Sequence, residues 1–169
     1  MNLENFNDWQ KEEIRAGLEK GVDISVYADP KYDFAQMYQL RAGLEQGLGV
    51  GIYADPEFDA GQMGQIREGL EKSVDVSVYA DPKYNYDQMD QIRRGLEEGL
   101  NVSVYANLKY DWRQMREIRE GLENNLTVSI YADSRYNHFQ MRDIRHRLEA
   151  QQSRPAVQLN KPTGKGLER

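Results

Sequence analysis

The chain has no cysteine and only two histidines among its 169 residues. The first absence excludes disulfides and thiolate metal sites and is compatible with a reducing cytoplasm, the expected location. His138 and His146 lie eight residues apart around Arg142. A metal site needs further ligands, so both are expected on exposed surface. No apolar run approaches the ~18 residues of a membrane span, and Met1-Asn-Leu-Glu-Asn-Phe lacks the basic stretch and apolar run of a signal peptide. There is no Gly-rich phosphate loop, no Ser/His/Asp set and no zinc-ligand spacing. The expectation is a non-enzymatic protein with no cofactor. Hydrophobic residues make up 39% of the chain and charged residues 30%, which suits a thin repeat array better than a compact globule, because such arrays bury apolar surface only between neighbours.

What the chain has is a period of 26 residues. Arg15, Arg41, Arg67, Arg93, Arg119 and Arg145 recur without a slip, as do Leu18 through Leu148 and Glu19 through Glu149. Tyr27, Tyr53, Tyr79, Tyr105 and Tyr131 mark five copies of the other half. A fixed period of this length is the signature of a solenoid. Asn7 with Gln10, Asp33 with Gln36, and the four pairs that follow at the same interval read as capping boxes. The aromatic residue before each cap and the Met four residues after it form a hydrophobic staple, with Lys11 in place of Met in the first unit, as suits a solvent-facing end. Met37, Leu40, Leu44 and Leu48 give one amphipathic stripe. Gly21, Gly47, Ser73, Gly99 and Asn125 end the helices in the left-handed conformation. The periodicity predicts long helices near 7–20, 33–46, 59–72, 85–98, 111–124 and 137–150.

The segment after each Gly has two readings. Ile24, Val26 and Ala28 alternate with Ser25 and Tyr27 as a strand would, which gives a strand-plus-helix horseshoe. Asp23, Gly49, Asp75, Asn101 and Thr127 are good N-cap types, and Ile24, Tyr27 and Ala28 fall at helical spacing. The favoured reading is a short helix, hence an all-α solenoid of six long-plus-short helical units over 1–150. Gly17, Gly43, Gly69, Gly95 and Gly121 sit inside the long helices at a cost of ~0.5–1 kcal/mol each relative to Ala, so close approach of the next repeat is expected there. Arg147 replaces Gly in the sixth unit, which points to the end of the array. Residues 151–169 read as a polar, basic tail.

The net charge of −6 is uneven: eight Lys/Arg against Asp143, Glu149 and Glu168 make residues 135–169 +5, leaving −11 on residues 1–134. That acidic body disfavours nucleic-acid binding. Arg41 with Glu45, Arg67 with Glu71, Arg93 with Glu97 and Arg119 with Glu123 are four apart on one helix face. They read as a structural ladder between stacked helices, with Arg also serving a carbonyl or an Asp29-type carboxylate. An i,i+4 pair alone is worth only ~0.2–0.5 kcal/mol, so an Arg in every unit implies a partly buried role.

Three positions at i, i+4 and i+8 change from unit to unit: Asp8/Glu12/Ala16, Phe34/Tyr38/Ala42, Ala60/Gly64/Glu68, Tyr86/Asp90/Arg94, Trp112/Arg116/Glu120 and His138/Arg142/His146. The position beside them adds Trp9, Arg113 and Phe139. Tyr, Trp and Arg are the residue types enriched in binding hot spots. This stripe, with Phe34, Tyr38, Tyr86, Asp90, Arg94, Trp112, Arg113, Arg116, His138 and Arg142, is the candidate surface for a protein partner. The alternative is sequestration of a small anionic ligand or nucleotide in Arg/Tyr clefts between units. A monomer or weak self-association is expected, since Lys11 and Arg147 look like blocked ends.

The string Tyr-Ala-Asp-Pro-x-Tyr/Phe-Asp-x-x-Gln-Met-x-x-Ile-Arg-x-Gly-Leu-Glu resembles a tandem repeat of proteins from gut Firmicutes, their phages and mobile elements. The resemblance spans residues 6–150. It implies a bacterial or phage cytoplasmic protein and lends no catalytic residues; Leu108 and Ser134 depart from it by replacing Pro.

Overall fold

The computed structural model describes residues 3–153. Six long helices alternate with single turns of 3-10 helix: α1 (Asp8–Lys20), η1 (Ile24–Val26), α2 (Phe34–Glu45), η2 (Val50–Ile52), α3 (Ala60–Glu71), η3 (Val76–Val78), α4 (Tyr86–Glu97), η4 (Val102–Val104), α5 (Trp112–Glu123), η5 (Val128–Ile130) and α6 (His138–Gln152). Each long helix packs on the next, and each of α1 to α5 packs on the 3-10 turn that follows it. The architecture is an all-α solenoid. The described residues contain no strand, so the horseshoe alternative falls. α6 runs to Gln152, two residues into the segment expected as tail; residues 154–169 lie outside the described residues.

Every long helix opens as its sequence requires. Asp33 accepts the Gln36 N–H at 2.8 Å while the Asp33 N–H donates to Gln36 Oε1 at 2.7 Å. The same reciprocal box closes at all six starts. The ends are equally regular. Leu48 N–H donates to Gly43 O and Gly47 N–H to Leu44 O, the bond pair that satisfies the last carbonyls when the residue after the cap turns left-handed. Ser73 (φ 58°) and Asn125 (φ 55°) adopt this conformation without being glycine.

The short segments are helical, but only for one 3-10 turn. Side-chain capping holds them at Asp23 and Asp75, which accept the N–H of Ser25 and Ser77. Gly49, Asn101 and Thr127 make no such bond. What fixes the segment is the tyrosine that ends it. Tyr27, Tyr53, Tyr79, Tyr105 and Tyr131 are wholly buried. Each hydroxyl donates to a main-chain carbonyl of the preceding long helix: Glu13, Gln39, Gln65, Gln91 and Glu117, at 3.0 to 3.4 Å.

Four residues after each of those carbonyls stands Gly17, Gly43, Gly69, Gly95 or Gly121. In a helix the side chain at that place leans back over the carbonyl. A Cβ there would fall far inside contact distance of the tyrosine oxygen. The expected close approach is therefore the phenol's, and glycine opens the carbonyl's free lone pair to it.

The glutamine of each capping box has a second task. Its Oε1 holds its own helix start, and its Nε2 donates across to the next unit. Gln10 reaches Tyr32 O, Gln36 reaches Phe58 O, Gln62 reaches Tyr84 O, Gln88 reaches Tyr110 O and Gln114 reaches Tyr136 O, at 2.6 to 2.8 Å. Gln62 Nε2 also donates to Pro82 O at 2.9 Å, and Gln114 Nε2 to Ser134 O at 3.2 Å. The acceptor is main-chain oxygen, so Pro and Ser serve alike. Between these bonds lies one continuous core of the buried tyrosines, Met37 and its equivalents, Leu40, Ile66, Ile92 and Ile118. Each such aliphatic side chain contributes ~1.5–3 kcal/mol on burial.

Glutamate would keep the capping acceptor and lose both donors. Gln62→Glu is expected to lower stability by ~1–3 kcal/mol, the penalty for buried carbonyls left unpaired. Gln140→Glu, at an exposed position with no donor bond among the described residues, is expected to change it by less than ~0.5 kcal/mol. Urea unfolding of the two variants checks the difference.

Candidate functional site

The variable positions are the first, second, fifth and ninth residues of each long helix. The third and fourth belong to the glutamine and methionine of the capping machinery and core; of the variable positions Gly64 is buried, and the large side chains are exposed or half-exposed. Trp9 is 70% exposed, Phe34 48%, Tyr38 46%, Tyr86 48% and Phe139 54%, against 0% for the tyrosines of the core. These aromatics are displayed.

They are also supported. Trp9 and Phe34 meet across α1 and α2 with ring centroids 6.0 Å apart. Tyr86 lies over Gly61 of α3, where a Cβ would stand 3.3 Å from the ring. Trp112 is half-buried beneath two guanidinium groups, Arg113 at 4.5 Å and Arg116 at 5.7 Å from its ring centroid. Phe139 has Arg142 at 5.2 Å and the His138 ring at 4.0 Å. Tyr38 has Arg41 at 5.4 Å. Such cation–π contacts hold the rings at ~0.5–1 kcal/mol each when exposed.

Asp90 and Arg94 are tied to the scaffold rather than free. Asp90 sits between Arg93 at 3.1 Å and Arg94 at 3.3 Å. Arg116 also reaches Glu117 at 3.1 Å and Glu120 at 3.8 Å. The candidate residues thus lie on one face along the stack. Among the described residues, open depressions at the last units, one of about 570 Å³ lined by Glu123, Asn124, Asn125, Glu149, Gln152 and Ser153, lie apart from these displayed aromatics.

The arginine ladder lies deeper. Arg41 Nε donates to Glu13 at 2.8 Å, Arg67 Nε to Gln39 at 2.9 Å, Arg93 Nε to Gln65 at 2.8 Å, Arg119 Nε to Gln91 at 3.0 Å and Arg145 Nε to Glu117 at 3.0 Å. Each arginine also pairs with the glutamate four residues on: Glu45, Glu71, Glu97, Glu123 and Glu149. The partner on the preceding helix is this Glu/Gln series and not the expected Asp29-type carboxylate, which takes the N–H of the residue two places on instead. The series had a signal, a Glu or Gln 28 residues before each ladder arginine, but nothing local marks it. Burial pulls the Arg41 and Arg145 pKa down; the carboxylates of Glu13 and Glu45, and of Glu117, Glu120 and Glu149, outweigh it and leave both raised. These guanidinium groups are therefore engaged by the protein's own acceptors, and the tyrosines beside them are buried against carbonyls.

Among the described residues, no group of three or more His, Cys, Asp or Glu could hold a metal ion, and no helix is long and apolar enough to cross a membrane. No protein-family model, curated protein or solved structure matches the chain.

Burial pushes the Tyr27 phenol up to about 12 and those of Tyr53, Tyr79, Tyr105 and Tyr131 up as well. The unfolded chain ionises these groups near pH 10 while the fold keeps them protonated. Their contribution is complete below pH ~10 and is lost as pH rises toward the folded values, by up to ~1.4 kcal/mol per tyrosine per pH unit. Circular dichroism and tyrosinate absorbance are expected to show about five of the 11 tyrosines ionising only in one cooperative alkaline unfolding step. All 11 titrating near pH 10 with the helices intact would contradict this.

Proposed function

We propose that the chain is a non-enzymatic protein-binding module that recognises a protein partner through the variable helix face. The observation that carries the reading is the display of large aromatics at positions that change between units whose caps, core and ladder stay constant. Phe34, Tyr38, Tyr86 and Trp112 are the anchors. Asp90, Arg94, Arg113, Arg116, His138 and Arg142 supply polar selectivity around them. Aromatic and Arg anchors of this kind dominate binding energy where they are desolvated. Sequestration of a small anion in Arg/Tyr clefts draws less support, because the ladder arginines and core tyrosines already have partners. The proposed setting, on the repeat resemblance and the absence of cysteine, is the cytoplasm of a bacterium, in a protein of bacterial or phage origin.

Combined substitution Tyr38→Ala, Tyr86→Ala and Trp112→Ala removes three exposed or half-exposed side chains and leaves the core intact. Affinity capture from bacterial lysate is expected to recover a partner with the natural chain and lose it with the variant, at ~2 kcal/mol or more per hot-spot residue. Equal recovery by two equally helical proteins would reject the reading.

A further inference from the structure

The inter-unit bonds join residues 20 to 28 apart from the helix starts, as in Gln62 to Pro82 and Gln10 to Tyr32, through the middle, as in Arg41 to Glu13, to the ends, as in Asn124 to Glu149. Consecutive long helices are therefore parallel and in register. A two-fold axis parallel to them, passing between α3 and α4, would lay the variable face of one copy on the same face of another. In that pairing α3 meets α4, α2 meets α5 and α1 meets α6 of the second copy, with first position on first and fifth on fifth. Such an interface is isologous, each contact occurring twice.

The residues match under this operation. At the centre, α3 carries the small residues Ala60, Gly61 and buried Gly64, with Tyr86 of the same copy lying over Gly61. Ala60 faces Tyr86, the half-exposed ring of α4, of the second copy. At the ninth position Glu68 faces Arg94. One layer out, Phe34 faces Trp112 and Tyr38 faces Arg116, aromatic on aromatic and ring on guanidinium. At the rim Trp9 faces Phe139, Asp8 faces His138 and Glu12 faces Arg142. Small meets large, ring meets ring and acid meets base, with no like charges opposed. The reverse alignment, α1 on α1, would oppose Glu12 to itself, Arg116 to itself and Arg142 to itself. Charge complementarity thus selects the antiparallel arrangement. Arg113 and Arg142 have only ring contacts for their guanidinium groups among the described residues, which leaves their N–H edges for an incoming acid.

We propose that the variable face pairs with a second copy of this chain in an antiparallel two-fold dimer. The proposal rests on the reading of that face as a protein-binding surface and names its occupant. Eight residues of rise and six helices give a stripe of roughly 12 by 45 Å. That is about 1,100 Å² in total, at the low end of specific interfaces. The dimer is accordingly a concentration-dependent one.

Sedimentation equilibrium of the full chain over roughly 1–200 µM, the range matched to an interface of this size, tests it. The natural chain is expected to pass from monomer to dimer. Glu12→Arg alone and Arg142→Glu alone each oppose like charges at both symmetric contacts and are expected to weaken association at least ten-fold. The double variant Glu12→Arg/Arg142→Glu restores opposite charges within one chain, and mixing the two single variants restores them between chains; both are expected to recover dimer. Three results would overturn the proposal: a natural chain monomeric throughout the range, a dimer indifferent to the single changes, or no recovery in the double variant and the mixture. A monomeric natural chain whose captured partner is still lost on Tyr38→Ala/Tyr86→Ala/Trp112→Ala would keep the face as a binding surface while rejecting a second copy as its occupant.

Discussion

The architecture depends on one side-chain amide used at both ends. In Gln10, Gln36, Gln62, Gln88 and Gln114 the carbonyl oxygen closes the start of its own helix while the NH₂ donates to the carbonyl just ahead of the next helix. A capping box accepts Glu as readily as Gln. The second bond does not, since an ionised carboxylate has no proton to give. The requirement for both functions in one residue explains Gln at this position in the first five units. It also fixes the offset between neighbours, because each helix start is positioned by the residue that begins the one before.

Everything else that repeats falls into that register. The tyrosine after each 3-10 turn reaches a carbonyl that glycine has uncovered, and the ladder arginine reaches the preceding helix 28 residues back. Stability in such a stack is a sum over neighbours, so the outer units look different. Gln140 is exposed where its equivalents are buried, and Tyr136 is 38% exposed where its equivalents are at most 8%. Among the described residues, Arg15 pairs only with Glu12 on its own helix. With interior faces held by these bonds, residue character changes most at positions that the shared bonds do not use.

The local features were legible in the sequence because their signals are local. Asp33 with Gln36 announces a helix start three residues apart, and Gly47 or Asn125 announces an end on its own. The stripe of varying residues was legible by comparing units, and it emerged on one exposed face. The long-range bonds were not legible. A buried Gln amide and a surface one have the same sequence context, and Gly69 shows that something approaches without saying that it is the Tyr79 hydroxyl. The capping types at Gly49, Asn101 and Thr127 misled: these three short segments are held by their tyrosines, whereas Asp23 and Asp75 do cap theirs. The Asp29-type carboxylates misled likewise, since a nearby N–H satisfies them before any arginine can.

A helix face that varies on an unchanging frame keeps the changing surface apart from the bonds that stabilise the stack. Tyr38, Trp112 and Arg142 can change without disturbing a stitch, and Gln62 cannot change without disturbing one. Hydrogen exchange of the glutamine side-chain amides, followed residue by residue by NMR, addresses the central interaction directly. The amides of Gln10, Gln36, Gln62, Gln88 and Gln114 are expected to be strongly protected and that of Gln140 to exchange at the rate of a surface glutamine. Equal, fast exchange at all six would contradict the account.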